Sequence, residues 1–276
     1  MIASRRALVD GLQAAVNAPF GSLAPAALVI AKLEYPNLEA ERYMAMLDAL
    51  GDSARRWIDE KTAEQSDTST LACIKAFNEF LFVDQGFRGN QQRYDDPRNS
   101  CLNEVLDRRV GIPITLSLVY IEVARRAGLR VDGVNFPGHF LVRCPEVGGR
   151  GRAGFIVDPF GGGALLSEDD CRILLEKHIG QDIAFSRSLL APATRPQIIV
   201  RMLINLKRLY VHMRSFPQAR EVTEMLLVMT PSALNELRDR GLLAFHLNDV
   251  TGALRDLQTF LKLSSMSEMS KHEREE

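Results

Sequence analysis

Shifted by 34 residues, the C-terminal part of this chain falls on itself. Leu203 lands on Leu237, Leu209 on Leu243, Met213 on Leu247 and Phe216 on Val250. Ala219 lands on Ala253, Leu226 on Phe260 and Leu227 on Leu261. A period of this length with apolar residues in register restricts the segment to helical hairpins that stack, each burying a face of its neighbour. From Pro196 onward the pattern is helix only, and Pro231 separates the two units. His212 and His246 also coincide. No Cys or carboxylate completes a ligand set around them, so they are read as an echo of the repeat, with no metal expected. The polar tail from Ser264 is expected to fray over 265–276.

Upstream the pattern changes. Gly111 to Pro159 reads as one helix followed by strands. Pro113 suits a first helical turn. Ile114, Leu118, Ile121 and Ala124 recur at helical spacing, with Val119 and Val123 flanking, which predicts a broad buried face. Gly128 offers the left-handed cap. A β-rich run from Val131 to Arg143 follows, broken at Pro137-Gly138, and then the short strand Phe155-Ile156-Val157 closed by Asp158-Pro159. His139 opens HFLVR and Asp158 ends FIVD. A carboxylate on one strand can fix the tautomer of an imidazole on the next.

These residues carry a resemblance. A helix ending in Arg125-Arg126-Ala127-Gly128-Leu129, a strand bearing a His and a strand ending in Asp-Pro are similar to the transglutaminase-like Cys-His-Asp core. More closely, NSCLNEVLDRRVGIPITLSLVY and GVNFPGHFLVR resemble the bacterial SirB-type family. That family joins a divergent transglutaminase-like domain to TPR-like repeats. The resemblance covers nearly the whole chain, with its best motifs between Phe77 and Leu263. It implies an α+β fold: a helical N-terminal part over 1–66, a small transglutaminase-like (papain-like) core over 67–192, and TPR-like hairpins over 193–264. It also carries the family's His and Asp to His139 and Asp158.

The sequence departs from the active pattern at one place. In active members the nucleophilic Cys starts the helix that ends at the R-x-x-G turn, where unpaired N–H groups favour a thiolate. Here that start is Pro113, Ile114 and Thr115. Thr115 and Ser117 offer only hydroxyls, which depend on an adjacent base. Cys101 precedes His139 and Asp158 in the right chain order and is the replacement nucleophile to consider. Its alternative is a small buried filler. Asn135, Arg93 and Tyr94 are the further pocket candidates. Arg93 and Tyr94 belong to the Gly-, Asn- and Asp-rich stretch 86–100, a length often used functionally, with a tied-down connector as the plainer expectation.

The N-terminal part is expected as helices packed on the core: Ser4 to Val16, Leu23 to Leu33, and Leu38 to Glu60. A short linker over 64–70 follows, and then a helix from Leu71 to Phe82. Pro159 to Gly163 lacks the Lys and helix register of a phosphate loop and is expected to be a turn, with Ser167 capping a helix through His178.

A net charge of −1 gives no bulk attraction to a polyanion, so no nucleic-acid partner is expected. No apolar run approaches the roughly 20 residues that span a bilayer, so no membrane partner is expected. Four cysteines without a CxxC fit a reducing, cytoplasmic setting. No cofactor is expected. The favoured expectation is a non-catalytic transglutaminase-like protein, a pseudoenzyme that regulates or scaffolds through protein or peptide contacts on its TPR-like repeats. The alternatives are a thiol peptidase or acyltransferase using Cys101, His139 and Asp158, and a peptide or small-ligand binder using the residual pocket.

Overall fold

A computed structural model describes residues 2–17, 21–146, 154–180 and 183–275. Contacts group these into two units, residues 18–201 and residues 1–17 with 202–276. The expected division at 66/67 and 192/193 is therefore not the division the contacts make. Helix α1 (Ile2–Asn17) packs on a C-terminal helix rather than on the core. Ser4, expected as its cap, lies inside it.

The unit over 18–201 is built round one helix. α3 (Ala40–Gln65) and α5 (Leu102–Arg108) pack on α6 (Pro113–Arg126), α4 (Thr70–Asn78) meets it through Phe77 edge-on to Tyr120 at 4.7 Å, and α2 (Ala24–Ala31) packs on α3 and α5. Every residue of α6 from Pro113 to Ala124 is buried, so the helix is enclosed rather than half-covered. α3 runs into the expected linker and ends at Gln65. Ser66 turns left-handed at its end, and Ser69 caps α4 by accepting the Ala72 N–H. The 64–70 stretch is thus a tight turn between packed helices.

The helix expected from Leu71 to Phe82 does not stay regular. After Asn78 it widens into a π-helical turn, Glu79–Asp84, with Gln85 N–H bonded to the Phe80 carbonyl. The extra residue in the turn accompanies Phe82 stacking on Tyr120 at 6.1 Å. Hydrophobic periodicity does not distinguish an α-turn from a π-turn, which is why the sequence does not show it.

Two short parallel strands, β1 (Arg88–Gly89) and β2 (Val110–Gly111), pin the 86–100 stretch to the start of α6. On the other side lies an antiparallel meander: β3 (Asp132–Val134), β4 (Leu141–Cys144), β5 (Phe155–Asp158) and β6 (Ala164–Leu166). Register sets Val142 opposite Val157 and Asp158 opposite Ala164. α7 (Glu168–Ile179) follows, capped by Ser167, whose hydroxyl accepts the Asp170 N–H. Val134, Phe136, Leu141, Cys171 and Leu175 form the core between meander and α7.

The remaining helices are α8 (Arg195–His212), α9 (Phe216–Met229), α10 (Leu234–His246) and α11 (Val250–Glu275). The repeat seen in the sequence holds in three dimensions. α8 and α10 end 34 residues apart, at His212 and His246, and α9 and α11 begin 34 apart, at Phe216 and Val250. Arg214 and Asn248 occupy the same left-handed turn position, at φ 58° and 59°. Lys207 Nζ reaches Glu236 and Asp239, each at 2.7 Å, and joins α8 to α10. α11 continues to Glu275 as helix, so the tail expected to fray has helical backbone.

Candidate functional site

His139 does not sit within a strand as expected. It closes the turn Pro137-Gly138 just before β4. Gly138 has φ 71°, and a Cβ there would lie 2.4 Å from the His178 Cβ. Glycine thus lets α7 close on this turn. The β4–β5 register brings the end of β5 alongside it, and His139 Nε2 lies 2.9 Å from Asp158 Oδ1. Asp158 Oδ1 also accepts the Phe160 N–H at 3.0 Å. His139 is 5% exposed. His178 stacks on it at 5.4 Å and Phe160 meets it edge-on at 6.0 Å. Burial, and then the neighbouring His139, hold the His178 imidazole below its ordinary value. A bound carboxylate leaves the second imidazole nitrogen to act on whatever faces it, so chemistry here depends on a nucleophile or a ligand.

The residues that could supply that nucleophile are otherwise engaged. Thr115 is fully buried. Its hydroxyl donates to the Asn99 carbonyl at 2.7 Å and accepts the Ile112 N–H at 3.1 Å. Ser117 Oγ donates to the Phe140 carbonyl at 3.4 Å. Cys101 precedes α5, with its thiol directed at the Pro97 carbonyl, 3.7 Å away. Burial, followed by the carboxylates of Glu34, Glu104 and Asp96, pushes that thiol up to about 12. The thiol is thus held in its protonated form, the reverse of what the cationic surroundings of an activated cysteine do. Among the described residues no hydrogen bond joins Cys101 to His139. These buried, acidic surroundings fit the small buried filler that stands as the alternative to a nucleophile at Cys101.

Of the pocket candidates, Tyr94 is brought to the site, its ring 6.1 Å from Phe160. Asn135, on the loop leading into the His139 turn, accepts from Arg201 Nη1 at 3.2 Å. Arg93 is held through its backbone: its carbonyl accepts from Asn99 Nδ2 at 2.7 Å, and its N–H donates to Asn90. Asn99, fully buried, also accepts from Asn90 Nδ2 at 3.1 Å. The 86–100 stretch is therefore a tied-down connector. His178, Phe160 and Arg201 escaped the sequence reading. His178 could have been found only from its place in the last turn of α7, since nothing in the sequence joins it to His139. Among the described residues no group of three His, Cys, Asp or Glu side chains converges as a metal site would, and no helix is long and apolar enough to cross a membrane.

Residues 41–204 match the family model described as the transglutaminase-like superfamily, and residues 206–275 match one described as a tetratricopeptide repeat. The chain is 39% identical over 242 residues to a UPF0162 protein of Xylella fastidiosa (strain Temecula1 / ATCC 700964), covering 86% of this chain and 82% of that one. It is 29% identical over 161 residues to protein SirB1 of Salmonella typhimurium, 58% of each chain. It is 32% identical over 182 residues to F-box only protein 21 of Mus musculus, spanning 63% of this chain but 28% of that protein. No solved structure matches it with significance.

Proposed function

The chain belongs to the SirB-type branch of the transglutaminase-like superfamily, and on that premise we propose that it is a pseudoenzyme, a regulatory or scaffolding protein that acts through protein or peptide contacts. The observation that carries this reading is the chemistry at the start of α6. The family's thiol position holds Pro113, Ile114 and Thr115, and the Thr115 hydroxyl is committed to backbone partners. The His139–Asp158 pair is kept as a hydrogen bond that satisfies two largely buried groups. TPR-like helices are a general platform for protein partners, and the partner contacts are assigned to them. All four cysteines are free, in keeping with a cytoplasmic setting.

Alkylation of the native chain tests the proposal, with the modified cysteine identified by peptide mass mapping. Cys101 is expected to react far more slowly than a free thiol, and equally slowly in His139→Ala. Rapid labelling of Cys101 that depends on His139 would overturn the proposal and restore a thiol peptidase or acyltransferase.

The aromatic surroundings of His139 favour a second reading. Phe160 and His178 flank an imidazole with one nitrogen uncommitted to Asp158, and Tyr94 lies edge-on to Phe160, an arrangement suited to holding a peptide or small ligand. Chemical-shift changes at His139 and His178 on adding a ligand, with none elsewhere, would favour this reading.

A further inference from the structure

The two hairpins treat the same face differently. In the first hairpin, a stripe on α9 is covered by the second: Phe216 stacks on His246 at 4.5 Å, and Arg220 pairs with Asp249 at 2.9 Å. The equivalent stripe 34 residues on is Val250, Leu254 and Leu261 of α11. These are 62%, 55% and 65% exposed. On α10, Phe245 is 66% and Leu242 is 45% exposed.

Helix geometry places these five side chains on one side. Gly241 and Ala244 belong to the buried side of α10, with Gly241 closest to Leu257 and Asp256 of α11. Leu242 and Phe245 each follow one of them by one residue, an offset of about 100°. On α11 Asp256 is buried, and so is Ala253. Leu254 follows Ala253 by one, and Val250 and Leu261 extend that stripe by one turn back and two turns forward. The helices run in opposite directions, so equal offsets in the same sense fall on the same side of the hairpin. On α11 the second hairpin therefore leaves open the stripe by which the first receives its neighbour, and Leu242 and Phe245, whose counterparts Arg208 and Val211 are also exposed, widen it with apolar surface.

We infer that this face binds a second copy of the chain, two-fold, apolar side on apolar side. Three observations select that occupant. First, the position that is charged in the first hairpin, Arg220, is Leu254 in the second, so the open face calls for an apolar mate rather than an aspartate. Second, the nearby arginines are already paired within the chain. Arg238 pairs with Asp239 at 2.8 Å, and Arg240 and Arg255 share Asp256 at 2.6 and 3.1 Å, so each of these arginines already has a carboxylate partner within the chain and none calls for an acidic mate. Third, the five side chains expose on the order of 500 Å² of apolar surface, at the upper end for a monomer's largest patch and most of the roughly 800 Å² per partner in a stable interface. A two-fold contact must be self-complementary, and an uncharged apolar face meets that condition.

Sedimentation velocity on the full chain, over roughly 1 to 100 µM, tests the inference in the range where an interface of this size dissociates. The wild-type chain is expected to dimerise. Phe245→Glu with Leu254→Glu should raise the dimer dissociation constant by at least about 100-fold, because charges would enter the centre of the contact. Leu254→Ser alone, a change that stays uncharged on an exposed position, should raise it by about 10-fold and guards against misfolding of the double variant. A wild-type chain that stays monomeric throughout would overturn the inference, as would a dimer that survives in correctly folded variants.

Discussion

The two ends of α6 carry similar chemistry, although a thiol enzyme of this fold would make them differ. At the N-terminal end, Thr115 ties the Asn99 carbonyl to the Ile112 N–H. At the C-terminal end, Glu122 is fully buried and accepts from Leu23 N at 2.6 Å, Ser22 Oγ at 2.8 Å and Arg126 Nη1 at 2.5 Å. Each end is a polar knot that fastens a neighbouring segment to the central helix: the 86–100 connector at one end, the start of α2 at the other. A helix N-terminus can stabilise a thiolate. Here its free groups hold backbone instead. A site where every polar atom already has a partner favours stability over reactivity.

The largest predicted effect is at Glu122. Glu122→Ala should cost about 3–5 kcal/mol, because it leaves the Leu23 N–H without its acceptor and takes from the largely buried Arg126 guanidinium one of its two carboxylates, Asp48 being the other; denaturant unfolding measures it. The pH dependence sharpens the point. Burial alone would push the Glu122 carboxyl up, but hydrogen bonds from Arg126, Leu23 and Ser22 outweigh it and hold the group below its ordinary value. A depressed native value contributes stability above the unfolded value and loses it as pH falls through the native one. Wild-type stability should therefore fall more steeply with acid below pH about 4.5 than that of Glu122→Gln. Parallel acid profiles would sink this account.

Thr115→Val comes next. It should cost about 3 kcal/mol, since two buried backbone groups lose their partner at once, and Thr115→Ser should recover most of that. If Thr115→Val left the unfolding midpoint unchanged, the N-terminal end of α6 would not be a knot, and the likeness between the two ends would fail. His139→Ala follows, at roughly 1–3 kcal/mol, from leaving Asp158 Oδ1 with only the Phe160 N–H. An unchanged midpoint there would argue that the pair is kept for something other than stability.

The sequence made the repeat unit legible because stacking needs the same residue types every 34 positions, down to the left-handed turn shared by Arg214 and Asn248. It made α6 legible through its periodicity, and the His139–Asp158 pair through the resemblance. Three features were not legible, for physical reasons. The π-turn at Glu79–Asp84 shares its apolar residues with an ordinary helix. α1 has an amphipathic face that fits either unit, and only the contacts decide which. Thr115 looked like a poor nucleophile because its two backbone partners lie outside any sequence pattern. The role of Asn99 in organising the 86–100 stretch is hidden for the same reason.

The smallest effect discriminates best between a filler and a nucleophile at Cys101. Cys101 is 1% exposed, and Pro97 O at 3.7 Å is a distance a sulfur tolerates and a hydroxyl does not. Cys101→Ala removes one small apolar group and should cost about 1 kcal/mol. Cys101→Ser keeps the size but buries a stronger donor without a partner at proper distance, and should cost about 1–3 kcal/mol. The filler account therefore requires serine to be the worse substitution. A catalytic thiol makes the opposite demand, because it needs polar surroundings to support its anion, and those would accept a hydroxyl more readily than a methyl group. Measuring both variants by chemical denaturation in one buffer gives the order. Serine more stable than alanine would place a hydrogen-bonding environment round Cys101, and the N-terminal end of α6 would then have to be read as the approach to a reactive site.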